Sequence, residues 1–68
     1  MVSEKIRLIC AKLNISQAEL ARRCGTSPQN LSAKMKRDSF TLGELSRIAE
    51  ILDIKMTLTF LFADGTEI

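Results

Sequence analysis

Between Pro28 and Arg37 most side chains are amides, hydroxyls, methyls or amines, and none is a carboxylate. Such groups can read base edges in the major groove of DNA. An amide bonds bidentately to adenine, a methyl packs on thymine, and a basic side chain reaches guanine or a phosphate. Double-stranded DNA is therefore the expected partner. The side chains that we assign to this chemistry are Gln29, Asn30, Ser32, Ala33, Lys36 and Arg37.

A helix over residues 28–36 would bring these groups to one side. Leu31 and Met35 lie about 40° apart at about 100° per residue, and they mark a narrow buried edge. The polar groups occupy the rest of the circumference. Ser27 is the predicted N-cap, and Pro28 suits the first helical position because its missing N–H would be unpaired there anyway.

The charge distribution supports a polyanionic partner. The net charge is only +2, yet residues 1–37 hold eight lysines or arginines and two glutamates, a balance of +6. Residues 38–68 hold two basic and six acidic residues, a balance of −4. A charge run is in most proteins only a solvated face, but this asymmetry favours contact with phosphates on one side of the molecule.

The segment before Ser27 predicts another helix, which is joined to helix 28–36 by a tight turn. Ser16 and Glu19 have the spacing of a capping box. Leu20 and Ala21 lie on its buried edge, and Gly25 suits the left-handed residue that ends a helix. Two short helices with a tight turn between them, the second polar and basic, match the helix-turn-helix geometry.

The order of these residues also resembles the lambda-repressor-like or Cro-type helix-turn-helix family. The resemblance rests on Gln17-Ala18-Glu19-Leu20-Ala21, on Gly25-Thr26-Ser27 and on Leu31, and it extends over about residues 4–54. It implies a four-helix domain that binds DNA. We therefore expect a sequence-specific transcriptional regulator, and more narrowly a repressor, that places helix 28–36 in the major groove.

The resemblance assigns roles to individual positions. It implies that Gln17, at the start of the second helix, anchors a phosphate, and that the small residues Ala21 and Gly25 let the two helices pack closely. Pro28 begins the recognition helix but cannot donate a hydrogen bond, so shape or an apolar contact is expected there. Gln17, Ser27 and Pro28 complete the predicted DNA-binding set.

Two further helices complete the expected domain. The first spans about Glu4 to Leu13 with Ser3 as its N-cap, and the fourth opens at the capping box formed by Thr41 and Glu44. Their apolar stripes supply one small core. We expect a mostly α-helical fold, with the helix-turn-helix domain over residues 1–54.

The pattern changes after Asp53 to an alternation that predicts a β-strand over residues 55–62. Members of the family commonly have a fifth helix at this place. A lone strand has an edge that needs a partner. The tail, residues 55–68, is expected either to fold back as a hairpin through Asp64-Gly65 or to pair with a second copy, as in Cro-like members; the two arrangements are compatible.

We favour the homodimer, which would set two recognition helices about one DNA turn apart on a pseudo-palindromic site. The apolar side chains expected to form its contact are Met56, Leu58, Phe60 and Phe62.

Other functional classes find little support. The longest apolar runs are far shorter than the about 20 residues of a membrane-spanning helix, and no signal-peptide pattern is visible. The chain has no histidine, and Cys10 and Cys24 lack the spacing of a zinc site. We therefore expect no metal, cofactor or small-molecule ligand and no enzymatic activity.

A cytoplasmic, nucleoid-associated protein is the expectation. The alternative function is a protein-binding module, antitoxin-like or adaptor-like, that works through the tail or through the acidic fourth helix.

Overall fold

The computed structural model describes residues 2–68, and Met1 lies outside the described residues. The expected four-helix, mostly α-helical fold is confirmed. No described helix is long and apolar enough to cross a bilayer; the longest has 12 residues. The helices are α1 (Val2–Leu13), α2 (Gln17–Arg23), α3 (Pro28–Arg37) and α4 (Leu42–Ile51).

A single hydrophobic core lies between the helices. Its centre is α2, where Leu20 and Ala21 are both 0% exposed. Cys10 is buried and Cys24 half-buried, both are free thiols, and burial raises the pKa of each. They therefore act as small apolar side chains. The buried core members are Ile6, Cys10, Leu20, Ala21, Leu31, Met35, Ile48 and Leu52.

Three helix starts are set by the local caps that the sequence predicts. Ser16, Ser27 and Thr41 each accept a hydrogen bond from the backbone N–H three residues further on, at 3.0, 3.1 and 3.1 Å. Glu44 completes the box of α4 by accepting from Thr41 N at 2.9 Å. At α2 the corresponding carboxylate, that of Glu19, instead bonds to two arginines.

The start of α1 differs from the prediction. The helix begins at Val2, and Ser3 is not its N-cap but a residue of its first turn, 5% exposed. The capping group comes from Asp38, 35 residues away, whose Oδ1 accepts from Ser3 N at 2.8 Å. A cap supplied by a distant residue leaves no local pattern, and this is why the prediction was wrong.

Each of the four helices is followed, within two residues, by one residue with positive φ: Asn14 at 56°, Gly25 at 74°, Asp38 at 53° and Asp53 at 55°. The residue after each one donates its N–H back to the last helical turn, at distances of 2.9 to 3.1 Å. This Schellman arrangement satisfies carbonyls that would otherwise lack donors. The connections between helices are therefore short and closed by backbone bonds.

Gly25 adopts the left-handed conformation that the sequence predicts. A Cβ built at this position would meet nothing within 4 Å. The glycine is therefore required by the backbone angle and not by the close helix packing that the resemblance implied. The buried Ala21 is the small residue at which α2 meets the core.

The predicted strand over residues 55–62 is not formed. Within residues 2–68 there is no strand, only an isolated antiparallel bridge between Leu61 and Glu67. Phe60 and Ile68 exchange backbone hydrogen bonds of 2.6 and 2.9 Å across this bridge. The segment therefore folds back within its own chain.

The turn lies at the predicted Asp64-Gly65. Gly65 N donates to Phe62 O at 3.0 Å, and Gly65 has a φ of 90°. Thr66 N donates to the Asp64 side chain at 3.0 Å and not to the facing strand residue. The pair of Phe62 and Thr66 therefore keeps one ladder bond, from Phe62 N to Thr66 O at 2.8 Å. Residues 66–68 face only residues 60–62, and residues 55–59 make no ladder hydrogen bond among the described residues.

The tail contributes no buried residue to the core. All of residues 55–68 are exposed, and Leu52 is the last buried residue. The radius of gyration is 13.5 Å, whereas a compact chain of this length has about 11 Å. The tail therefore projects from the helical domain.

Candidate nucleic-acid interface

The polar face of α3 points to solvent. Leu31 and Met35, each 4% exposed, attach the helix to the core, and their spacing leaves most of its circumference free. Of the predicted site residues on this helix, Ala33 is half-buried and six are exposed: Pro28, Gln29, Asn30, Ser32, Lys36 and Arg37.

Five of the predicted DNA-binding residues line one shallow depression on this face. An amide, a hydroxyl, a methyl and an ammonium group follow one another along it, over about 12 Å of helix. An α-helix with its side chains is about 10–12 Å in diameter, so the major groove, which is about 12 Å wide, admits it. The depression is lined by Pro28, Gln29, Ser32, Ala33 and Lys36.

The remaining four predicted residues lie around this depression or on the neighbouring helix. Asn30 and Arg37 belong to α3 but do not line it. Gln17 is the first residue of α2 and is exposed, at a helix end where free backbone N–H groups favour anions. The Ser27 hydroxyl accepts the capping bond from Asn30 N and keeps its proton available for a phosphate oxygen.

The arginines of α2 are held by a carboxylate. Arg23 Nε lies 2.9 Å from Glu19 Oε2, and Arg22 pairs with the other oxygen of the same carboxylate. The hydrogen bonds from Arg22 and Arg23 hold the pKa of Glu19 below its usual value. The count of basic residues in the sequence includes these two cations, and in the structure their charge is partly balanced by Glu19.

Lys34 is also engaged, because its ammonium group pairs with Glu44 of α4. Lys36 and Arg37 consequently are the two basic residues of the segment 22–37 that have no carboxylate partner among residues 2–68. These are the residues that the sequence assigns to phosphates. The last turn of α3 is thus the place where positive charge is available to a partner.

The Lys34–Glu44 pair makes the free energy of unfolding depend on pH. The ammonium group of Lys34 and the bond from Thr41 N lower the pKa of Glu44 from 4.5 to about 2. Because the folded pKa is depressed, this stabilisation is complete above pH 4.5 and is lost as the pH falls towards 2.

We expect a Glu44→Gln variant to show a shallower loss of stability on acidification than the unsubstituted protein. The free energy of unfolding, measured with denaturant at a series of pH values below neutrality, checks this. Glu50→Gln is the matched control, because Glu50 is exposed on the same helix and has no ion pair among the described residues. Parallel curves for the Glu44→Gln variant and the unsubstituted protein would contradict the expectation.

One residue of consequence, Asp38, escaped sequence reasoning. Asp38 directly follows Arg37, which has no carboxylate partner among residues 2–68, and the Asp38 carboxylate accepts a hydrogen bond from Ser3 of α1. Its one sequence signal is an aspartate just past a helix end, where Asp tolerates left-handed backbone.

The described residues contain no group of three or more side chains able to hold a metal ion.

Comparison with known protein families agrees with this geometry. The family model described as a Cro/C1-type HTH DNA-binding domain matches residues 5–57, well over half of the chain. The search of curated proteins and the search of solved structures each gave no match. The resemblance noted from the residues is confirmed. The chain belongs to the family of Cro/C1-type HTH DNA-binding domains.

Proposed function

We propose that this protein is a sequence-specific transcriptional regulator, acting as a repressor, that inserts α3 into the major groove of double-stranded DNA. The observation that carries the proposal is the exposed, carboxylate-free face of α3, with a depression lined by amide, hydroxyl, methyl and ammonium groups. Residues 1–54 form the DNA-binding domain in this proposal, and residues 55–68 form a dimerisation tail. The protein acts on the nucleoid inside the cell.

The roles of the side chains follow from their chemistry. Gln29 and Ala33, both in the depression, read bases through an amide pair with adenine and a methyl contact with thymine. Lys36 and Arg37 hold phosphates, since they have no carboxylate partner among the described residues. Gln17 anchors a further phosphate at the start of α2. The remaining predicted residues orient α3 in the groove through shape and through contacts with the DNA. They are Ser27, Pro28, Asn30 and Ser32.

Selection of binding sites from a random duplex pool tests the proposal. We expect the protein to recover a defined site, and a Gln29→Ala variant to lose preference at one base pair, by about 5- to 150-fold. The physical reason is that alanine cannot make the bidentate bond. Binding should weaken with salt, because phosphate contacts release counterions.

Gln17→Ala is the matched control, since it removes the same amide from a position assigned to phosphate. It should weaken binding to all sequences alike and leave the selected site unchanged. If the Gln29→Ala variant keeps the original preference, the reading face is assigned wrongly. If no duplex is selected even at low salt, the protein-binding module becomes the better interpretation.

We also propose that the protein binds DNA as a homodimer joined through its tail. Met56, Leu58, Phe60 and Phe62 are 41%, 62%, 64% and 52% exposed. Phe60 and Phe62 direct their N–H groups to the returning segment, so the alternate residue Leu61 directs its own outward, to an edge that a second chain can pair with. In this dimer each copy contributes its folded-back tail, and not the lone strand that the sequence predicted.

A Leu58→Asp/Phe60→Asp variant is expected to be monomeric, because burying two carboxylates in the contact is prohibitively costly. Sedimentation equilibrium of the variant and the unsubstituted protein measures this. Leu8→Asp is the control: Leu8 is 69% exposed on α1, and the substitution should leave the dimer intact. An unsubstituted protein that is monomeric at concentrations where it saturates its DNA site would refute the dimer.

A further inference from the structure

Asp38 performs two structural tasks at once. Its backbone ends α3: it has φ 53° and ψ 43°, and its N–H returns to the carbonyls of Lys34 and Met35. Its carboxylate starts α1, because Oδ1 accepts from Ser3 N at 2.8 Å and also from the Ser3 hydroxyl. One residue therefore ties the C-terminal end of α3 to the N-terminal end of α1, where the helix dipole favours a negative charge.

Ser3 supplies the other half of this contact. We call the hydrogen bonds that join Ser3 to Asp38 and Met35 the Ser3–Asp38 clasp. It is 5% exposed, and its Oγ lies 2.9 Å from the carbonyl oxygen of Met35, in the last turn of α3. A hydroxyl has one proton, so Ser3 Oγ donates either to that carbonyl or to the Asp38 carboxylate. The bonds from Ser3, with a smaller contribution from Arg7, keep the pKa of Asp38 below its usual value, so the carboxylate is charged at neutral pH.

The clasp adjoins the two cations that have no carboxylate partner among residues 2–68. Arg37 is the residue before Asp38, and Lys36 precedes Arg37 in the same helical turn. We propose that Ser3 and Asp38 are positioning residues for DNA binding: the clasp fixes the last turn of α3 against α1, so that Lys36 and Arg37 meet phosphates already in place. This inference rests on the proposed binding of DNA through α3.

The sign of the charge makes the inference testable. A carboxylate beside Lys36 and Arg37 repels phosphate, so its charge by itself opposes DNA binding. If Asp38 were only a nearby charge, its removal would strengthen binding. If the clasp positions the cations, removal of the clasp weakens binding despite the gain in net positive charge.

Asp38→Gly is the decisive variant, because glycine keeps the left-handed backbone that ends α3 and removes the carboxylate. Asp38→Asn removes the charge but retains an oxygen acceptor for Ser3 and tolerates the same backbone. Asp53→Gly is the matched control, since Asp53 ends α4 with a φ of 55° and holds no distant residue among those described. Each variant is first shown by circular dichroism to be folded at the temperature of the binding measurement.

The readouts are the affinity for the selected duplex and its dependence on salt. We expect Asp38→Gly to bind about tenfold more weakly, since ordering two long basic side chains must then accompany binding. Its log–log salt slope should fall by about one to two, corresponding to one or two lost phosphate contacts. Asp38→Asn should bind at least as tightly as the unsubstituted protein, and Asp53→Gly should match it.

Asp38→Gly binding as tightly as the unsubstituted protein, or more tightly, overturns the inference. Equal weakening by Asp38→Asn and Asp38→Gly also overturns it, because asparagine keeps an oxygen acceptor for Ser3 and the loss could then not come from missing bonds to Ser3. If Asp38→Gly does not fold, Ser3→Ala replaces it. It removes the hydroxyl that donates to Met35 O or to Asp38 and leaves the backbone N–H of residue 3 bonded to Asp38, and its binding must then weaken. Failure of the proposed function is distinguishable, since the unsubstituted protein itself would bind no duplex.

Discussion

A Leu20→Ala variant is expected to lose a large part of its free energy of unfolding. Leu20 is 0% exposed at the centre of the core, and a buried Leu→Ala substitution costs about 2.7–5.0 kcal/mol. A domain of this size has only about 3–10 kcal/mol of stability. Denaturant unfolding followed by circular dichroism measures the loss.

Leu8→Ala is the control for this experiment. It makes the same chemical change on α1 at a side chain that is 69% exposed, and it should alter stability by no more than about 0.5 kcal/mol. Similar unfolding midpoints for the two variants would show that α2 does not lie at the centre of the core.

The second large effect concerns DNA affinity. A Lys36→Ala/Arg37→Ala variant should bind every duplex about a hundredfold more weakly, if each charge-assisted bond contributes about 1.5 kcal/mol. The log–log salt slope should fall by about two, because each phosphate contact contributes about 0.9. Affinity is measured by fluorescence anisotropy across a salt series on the selected site and on an unrelated duplex.

Lys5→Ala/Lys12→Ala removes the same charge from α1 and should cost only a few-fold in affinity, through the overall field. If this control weakens binding as much as the substitutions in α3, then total charge and not placement governs the affinity. A loss confined to the selected site would instead show that Lys36 or Arg37 reads bases.

Helix starts were predictable where the signal is local. Ser16, Ser27 and Thr41 each lie three residues before the N–H they accept, so the spacing itself carries the information. The start of α1 was not predictable, because its capping carboxylate is separated from Ser3 by 35 residues. Only the folded arrangement of α1 and α3 brings them together.

The alternation in the tail shows a second limit of periodicity. The alternation predicted a strand over residues 55–62, but a strand exists only when its backbone groups find partners. Asp64 and Gly65 fold the chain back as predicted, yet residues 66–68 face only residues 60–62, and residues 55–59 find no backbone partner among the described residues. An alternating pattern does not show whether such a partner exists.

The polar face of α3 was the most predictable part of the site, since Leu31 and Met35 fix which side is buried. The positive charge available on that face could not be predicted from the sequence. Arg22, Arg23 and Lys34 counted equally with Lys36 and Arg37 in the sequence, and ion pairs with Glu19 and Glu44 separate the two groups only in the folded molecule.

The boundary of the core at Leu52 has a consequence for how such a protein can diversify. Because residues 55–68 are all exposed, substitutions there leave the folding equilibrium of the helices nearly unchanged. If the tail joins two copies as proposed, changes in this short segment after a gene duplication would yield two proteins that no longer dimerise with each other while α3 stays identical. The proposed DNA contact and the choice of partner copy would then evolve on separate segments of one small chain.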